Sequence, residues 1–149
     1  MTNTSKFFER LGKLLPGFSG YYDRESLREN DYQLRLYIKQ KIDEIIHEIE
    51  RSKPSLNDDL LLEMDKVQNN LKLFSVKIAN QSYGYSALFD NDNSENDMRE
   101  NKLNSLIEHD EKLINLVENL TLEDKELEDL VVFEKELNEL LAQRIKILR

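Results

Sequence analysis

Apolar residues return every three or four positions along four long stretches of this chain, and short polar breaks separate the stretches. Ile38, Ile42, Ile45, Ile46 and Ile49 mark the first, and Leu60, Met64, Val67, Leu71, Phe74 and Ile78 the second. Leu106, Leu113, Val117 and Leu120 mark the third, and Leu127, Leu130, Leu137, Leu141, Ile145 and Leu148 the fourth. This is the period of an α-helix with one buried side. The helix breakers are few: Gly12, Gly17, Gly20, Gly84, Pro16 and Pro54. The pattern predicts a helix from about Arg24 to Arg51, with Asp23 as its cap and Tyr22 against Leu27 as a hydrophobic staple. Ser55-Leu56-Asn57-Asp58 predicts the start of the next helix, which runs to about Ser82. Ser94-Glu95-Asn96-Asp97 and Thr121-Leu122-Glu123-Asp124 predict the starts of the last two. Each helix is roughly 26–28 residues, or about 40 Å, long. Equal lengths and short turns predict an all-α, up-down-up-down antiparallel four-helix bundle over residues 21–149. Residues 1–20 form a short amphipathic helix and a Pro/Gly turn in front of it. The breaks at Pro54, Gly84 and Thr121 favour a chain that folds back over one long coiled-coil dimer.

Composition narrows the function classes. The 149 residues are 39% hydrophobic and 34% charged, with a net charge of −9. So acidic a chain, without a large Lys/Arg cluster, argues against nucleic acid as a partner. The absence of Cys removes disulfides, thiolate metal sites and Cys nucleophiles. It fits a reducing, cytoplasmic setting. No apolar run reaches the length of a membrane span, and the N-terminus lacks the apolar core of a secretory signal.

One helix carries charge where its core face should be. Stepping 100° per residue from Ile42 places Ile38, Ile45, Ile46 and Ile49 within about 60° of it, together with Arg24, Arg28, Asp31 and Arg35. The same exercise about Leu106 puts Asp110 on the inward side of the third long helix, about 40° off its centre. An isolated buried charge is too costly to persist, so the pattern predicts a partly buried network of Arg28, Asp31, Arg35 and Asp110. Its plain role is to fix helix register. Its functional role would be a site for an anionic group, with Arg24 and Arg28 nearest the open end.

Two aromatic-glycine segments should meet at one end of such a bundle: Phe18-Ser19-Gly20-Tyr21-Tyr22 and Tyr83-Gly84-Tyr85-Ser86-Ala87-Leu88-Phe89. They could plug the core. As a partner-binding patch, Phe18, Tyr21, Tyr22, Tyr83, Tyr85 and Phe89 would be the anchors. The front helix offers a further surface. Phe7, Phe8, Leu11 and Leu14 beside Lys6, Arg10 and Lys13 are the kind of side chains that contact a membrane surface.

Several motifs fail on geometry. Glu44-Ile45-Ile46-His47 matches the Glu-x-x-His of di-iron bundles, but Glu44 and His47 lie about 200° and 140° from Ile42, away from the core. The other histidine, His109, has Leu106 where that motif needs Glu; both histidines are expected near the surface. Asp90-Asn91-Asp92-Asn93-Ser94 lacks the Gly and the Glu of a calcium loop. No nucleophile motif, P-loop or dinucleotide fingerprint occurs. The expectation is no catalytic residue, no metal and no cofactor.

Leu15-Pro16-Gly17-Phe18-Ser19-Gly20-Tyr21, followed by Arg24-Glu25, Arg28-Glu29, Asp31 and Leu34-Arg35, resembles a pattern in a group of uncharacterised bacterial helical-bundle proteins. Those proteins also carry a Tyr-Gly-Tyr segment ending in Phe-Asp, here Tyr83-Gly84-Tyr85 and Phe89-Asp90. The resemblance covers about a third of the chain, implies a bacterial helical bundle and implies no reaction. Where that group has an apolar segment after Phe-Asp, this chain has polar residues from Asn91 to Asp97.

The reading that results is a non-enzymatic adaptor or scaffold bundle whose partner is another protein or a second copy of itself. The alternatives are a peripheral membrane protein using the front helix and a receptor for a small anionic ligand using the Arg-rich seam.

Overall fold

The computed structural model of the chain describes residues 3–15, 27–81, 96–122 and 126–148, with side chains described for 9–15, 29–81, 101–122 and 126–148. Within these residues the architecture is all-helical, without a strand. The helices are α1 (Asn3–Leu14), α2 (Leu27–Ser52), α3 (Asp58–Ala79), α4 (Asn96–Asn119) and α5 (Leu127–Leu148). One 3₁₀ turn, Lys53–Ser55, follows α2 directly. None of these helices is long and apolar enough to cross a membrane.

Helix starts depend on local capping, and two differ from the sequence reading. At α3 the cap is Asn57, not Ser55. Asn57 is extended and its side-chain oxygen accepts from the Leu60 amide at 2.9 Å. Pro54 sits in the 3₁₀ turn, where the Ser55 hydroxyl donates instead to the Ser52 carbonyl at 2.8 Å. At the other end, α5 starts at Leu127 rather than near Thr121. There the Asp129 carboxylate reaches back to accept from the Glu126 amide at 3.0 Å, one half of a capping box. The proposed cap Asp23 and staple residue Tyr22 lie outside the described residues.

Packing joins α2 to α3 and α4, α5 to α3 and α4, and α1 to α4. All five helices share one apolar core, in which Ile38, Ile42, Leu71, Phe74, Leu106 and Leu137 are fully buried. The front helix belongs to that core. Leu11 and Leu15 are buried in it, and Arg10 donates to the Asn115 side chain at 3.1 Å. Burying a leucine stabilises by about 1.5–3 kcal/mol, and Leu11 and Leu15 each contribute on that scale to the docking of α1.

Polar links cross the α2/α3 interface between apolar layers. The Ser75 hydroxyl donates to Asp43 at 2.7 Å, and Gln68 donates to the Ile46 carbonyl at 3.2 Å and to Glu50 at 2.8 Å. Lys53 pairs with Glu50 at 2.8 Å and Asp65 at 2.6 Å. Hydrogen bonds from Lys53 and Gln68 hold the Glu50 carboxyl below its ordinary value, and those to Asp65 and Glu50 raise Lys53. Glu50 and Asp65 are open to solvent, and ion pairs to such groups contribute little.

Candidate functional site

Of the charge that the α2 pattern placed inward, Asp31 and Arg35 are buried, and they belong to one connected cluster. Asp31 and Arg35 come from α2, Asp110 and His109 from α4, and Arg144 from α5; all five are buried. Arg35 Nε donates to Asp31 Oδ2 at 2.8 Å. Its Nη1 donates to the carbonyls of Ile78 at 3.0 Å and Ala79 at 2.8 Å. Those carbonyls end α3 and have no partner within the helix, so a guanidinium there both satisfies them and meets the negative end of the helix dipole. The ring of Tyr32 covers the Arg35 guanidinium, 5.6 Å from its centroid.

Arg144 ties three helices to that pair. Its Nε and Nη2 fork onto Asp110 at 2.9 and 3.2 Å. Nη2 also donates to Asp31, and Nη1 to the side-chain oxygen of Gln81 just past α3. His109 lies between two acceptors, with Nδ1 3.2 Å from Asp110 Oδ1 and Nε2 against the Leu140 carbonyl. Among the described residues, two carboxylates face two guanidiniums. Burial alone would push the Asp110 carboxyl up. The charge of Arg144 and the hydrogen bonds to His109 and Arg144 outweigh burial and hold it below its ordinary value.

The sequence reading named Asp31, Arg35 and Asp110, and the structure brings these three together. Arg24 and the side chain of Arg28 lie outside the described residues. Arg144 was missed, although it stands at a core position between Leu141 and Leu148. Ile145, assigned to the core stripe, is 39% exposed, because the helix turns Arg144 inward and Ile145 aside. His109, expected near the surface, is buried between the Asp110 carboxylate and the Leu140 carbonyl; His47 is exposed. Of the front-helix membrane candidates, Leu11 faces the core and Leu14 is 44% exposed; the side chains of Phe7 and Phe8 lie outside the described residues. So do Phe18, Tyr21, Tyr22, Tyr83, Tyr85 and Phe89.

A second feature lies beside the cluster. An open cleft of about 730 Å³ runs between α4 and α5. Its apolar lining is Leu116, Leu120, Val132, Phe133 and Leu140, with Phe133 buried at the floor. Its polar rim is Lys112, Asn115 and Asn119 from α4 and Asp129, Glu136, Glu139 and Gln143 from α5. Three carboxylates therefore oppose one ammonium. The α5 wall from Asp129 to Gln143 extends about 21 Å along the helix. The buried cluster supports this wall, since the Leu140 carbonyl is the acceptor beside His109. Neither feature presents a nucleophile beside a base, and no group of three or more metal-binding side chains occurs among the described residues.

No protein-family model, no curated protein and no solved structure matches this chain.

Proposed function

We propose that this chain is a non-enzymatic protein-interaction bundle that receives a helical segment of a protein partner in the α4/α5 cleft. The framework is read as an antiparallel four-helix bundle with α1 docked on its side. Short connections at residues 53–57 and 120–126 favour antiparallel α2/α3 and α4/α5 pairs. Arg144 touches both Asp31 and Asp110, while Tyr37 donates to Glu118 at 3.3 Å. Two such links, with numbers rising together on α2 and α4, support the same direction for both. The buried cluster then acts as the register element: each guanidinium is engaged by a carboxylate and by amide or carbonyl oxygens, deep in the interior.

The observation that carries the reading is the cleft itself: long, open, apolar along its floor and acidic along its rim. Such a groove suits the apolar stripe of an amphipathic helix whose flanks bear Lys or Arg. The chain contains a helix of this chemistry. α1 carries Lys6, Arg10 and Lys13, buries Leu11 and Leu15 on the bundle, and sets Arg10 on Asn115, a residue of the cleft rim.

A direct test titrates the full chain into two fluorescent helical peptides of equal length, one built from Leu and Lys and one from Leu and Glu. The expected result is binding of the Leu/Lys peptide only, weakened by salt and by Val132→Glu. Equal binding of both peptides, or binding indifferent to Val132→Glu, would overturn the proposal.

A further inference from the structure

The three most exposed large apolar side chains among the described residues share one face of α3. Leu62, Leu73 and Val76 are 59%, 58% and 57% exposed. At 100° per residue they fall within about 60° of one another, on the side of α3 opposite the buried Leu71. Lys66 and Asn69, both exposed, occupy the positions between them. The steps 62, 66, 69, 73, 76 alternate four and three residues, which is the spacing of a helix seam that packs against another helix. Among the described residues α3 packs on α2 and α5, and this stripe lies opposite its buried side.

Charge along α3 is polarised. Asp58, Asp59, Glu63 and Asp65 lie in its first half against one cation, Lys66, and Lys72 and Lys77 lie in its second. A partner with the same seam and the opposite charge order is this same helix, reversed. We infer that α3 is a homodimer interface in which α3 of one copy packs antiparallel on α3 of a second copy. In that pairing Leu62 of each copy lies opposite Leu73 of the other. Lys66 and Asn69 of the two copies form the polar centre, and each acidic half lies beside the other copy's basic half. Parallel pairing would align like charges. Such a two-fold interface closes on itself and yields a dimer, not a fibre. It uses a different helix surface from the α4/α5 cleft and stands independently of that reading.

The chain has no cysteine, so engineered thiols report the pairing without background. Full-length Leu62→Cys, full-length Leu73→Cys and an equal mixture of the two are oxidised and run on a non-reducing gel. Antiparallel pairing predicts covalent dimer from the mixture and little from either variant alone, because equal positions lie about 16 Å apart. Sedimentation equilibrium of the unmodified chain is expected to give the mass of two chains, falling to that of one in Leu73→Glu. Because Leu73 is exposed, that variant keeps its helical circular-dichroism signal. Monomer at every concentration would overturn the inference, as would covalent dimer from each single variant at the rate seen in the mixture. A Leu73→Glu variant that still binds the Leu/Lys peptide separates this result from any failure of the cleft proposal.

Discussion

Replacing Arg144 by methionine removes the guanidinium that bridges α2, α4 and α5 while retaining most of the side chain's apolar bulk. Arg144 and Asp110 are fully buried, and so is Asp31. The variant leaves Asp110 without its two-pronged partner, 2.9 and 3.2 Å away in the native chain. Asp31 keeps only Arg35 of the two arginines. Breaking a buried pair in this way costs about 3–5 kcal/mol, since the remaining desolvated charge loses its main compensating partner. At about 2–4 °C per kcal/mol for a chain of this size, the melting temperature should fall by roughly 10 °C. The exposed Lys66–Glu63 pair, at 3.1 Å, is the internal control; Lys66→Met should cost at most about 1 kcal/mol. Urea denaturation at neutral pH reads both. A second variant sharpens the inference: Arg144→Met with Asp110→Leu should be less destabilised than the sum of the single changes, since the carboxylate that loses the guanidinium is then absent as well. If Arg144→Met costs no more than Lys66→Met, the cluster is not the element that fixes the packing.

Two further outcomes follow from the same geometry. Asp110 is held below its ordinary value of 3.8 in the folded chain; its contribution is fully present above that value and is lost as pH falls through the lower folded value. Urea midpoints measured from about pH 6 to about pH 2 should therefore drop in acid, with a shallower drop in Asp110→Asn. On the front helix, Leu11→Ala should cost about 2–5 kcal/mol, while Leu14→Ala should stay within about 0.5 kcal/mol. Equal effects at the two positions would mean that α1 does not dock through the Leu11 side.

Much of the helical architecture was legible because the apolar spacing is strict. In α2 and α3 the stripe residues from Ile38 to Ile49 and from Met64 to Ile78 are buried, while Leu60, assigned to the same stripe in the first turn of α3, is 40% exposed. The same arithmetic placed Asp31, Arg35 and Asp110 inward, because an apolar stripe interrupted by charge at helical spacing has a defined direction. Arg144 escaped because Ile145 beside it is apolar and competes for the stripe, and a sequence offers no reason to turn an arginine inward until its two carboxylates are known to converge there. His109 escaped for a related reason: its polar neighbours are the next residue and a carbonyl of another helix. The α3 cap escaped because Ser55 and Asn57 are both good caps two residues apart, and the turn at Pro54 decides between them. The cleft was not legible at all. It depends on how far apart α4 and α5 lie along one flank, which no single helix encodes.

The claim that the α4/α5 cleft receives a basic amphipathic helix is tested most directly by methyl NMR of the full chain labelled at Leu and Val. On addition of the Leu/Lys peptide, the signals of Leu116, Leu120, Val132 and Leu140 should shift together and saturate with one affinity, while those of Leu62 and Leu73 stay in place. Shifts confined to Leu62 and Leu73, or no shift at the four cleft methyl groups at saturating peptide, would contradict it.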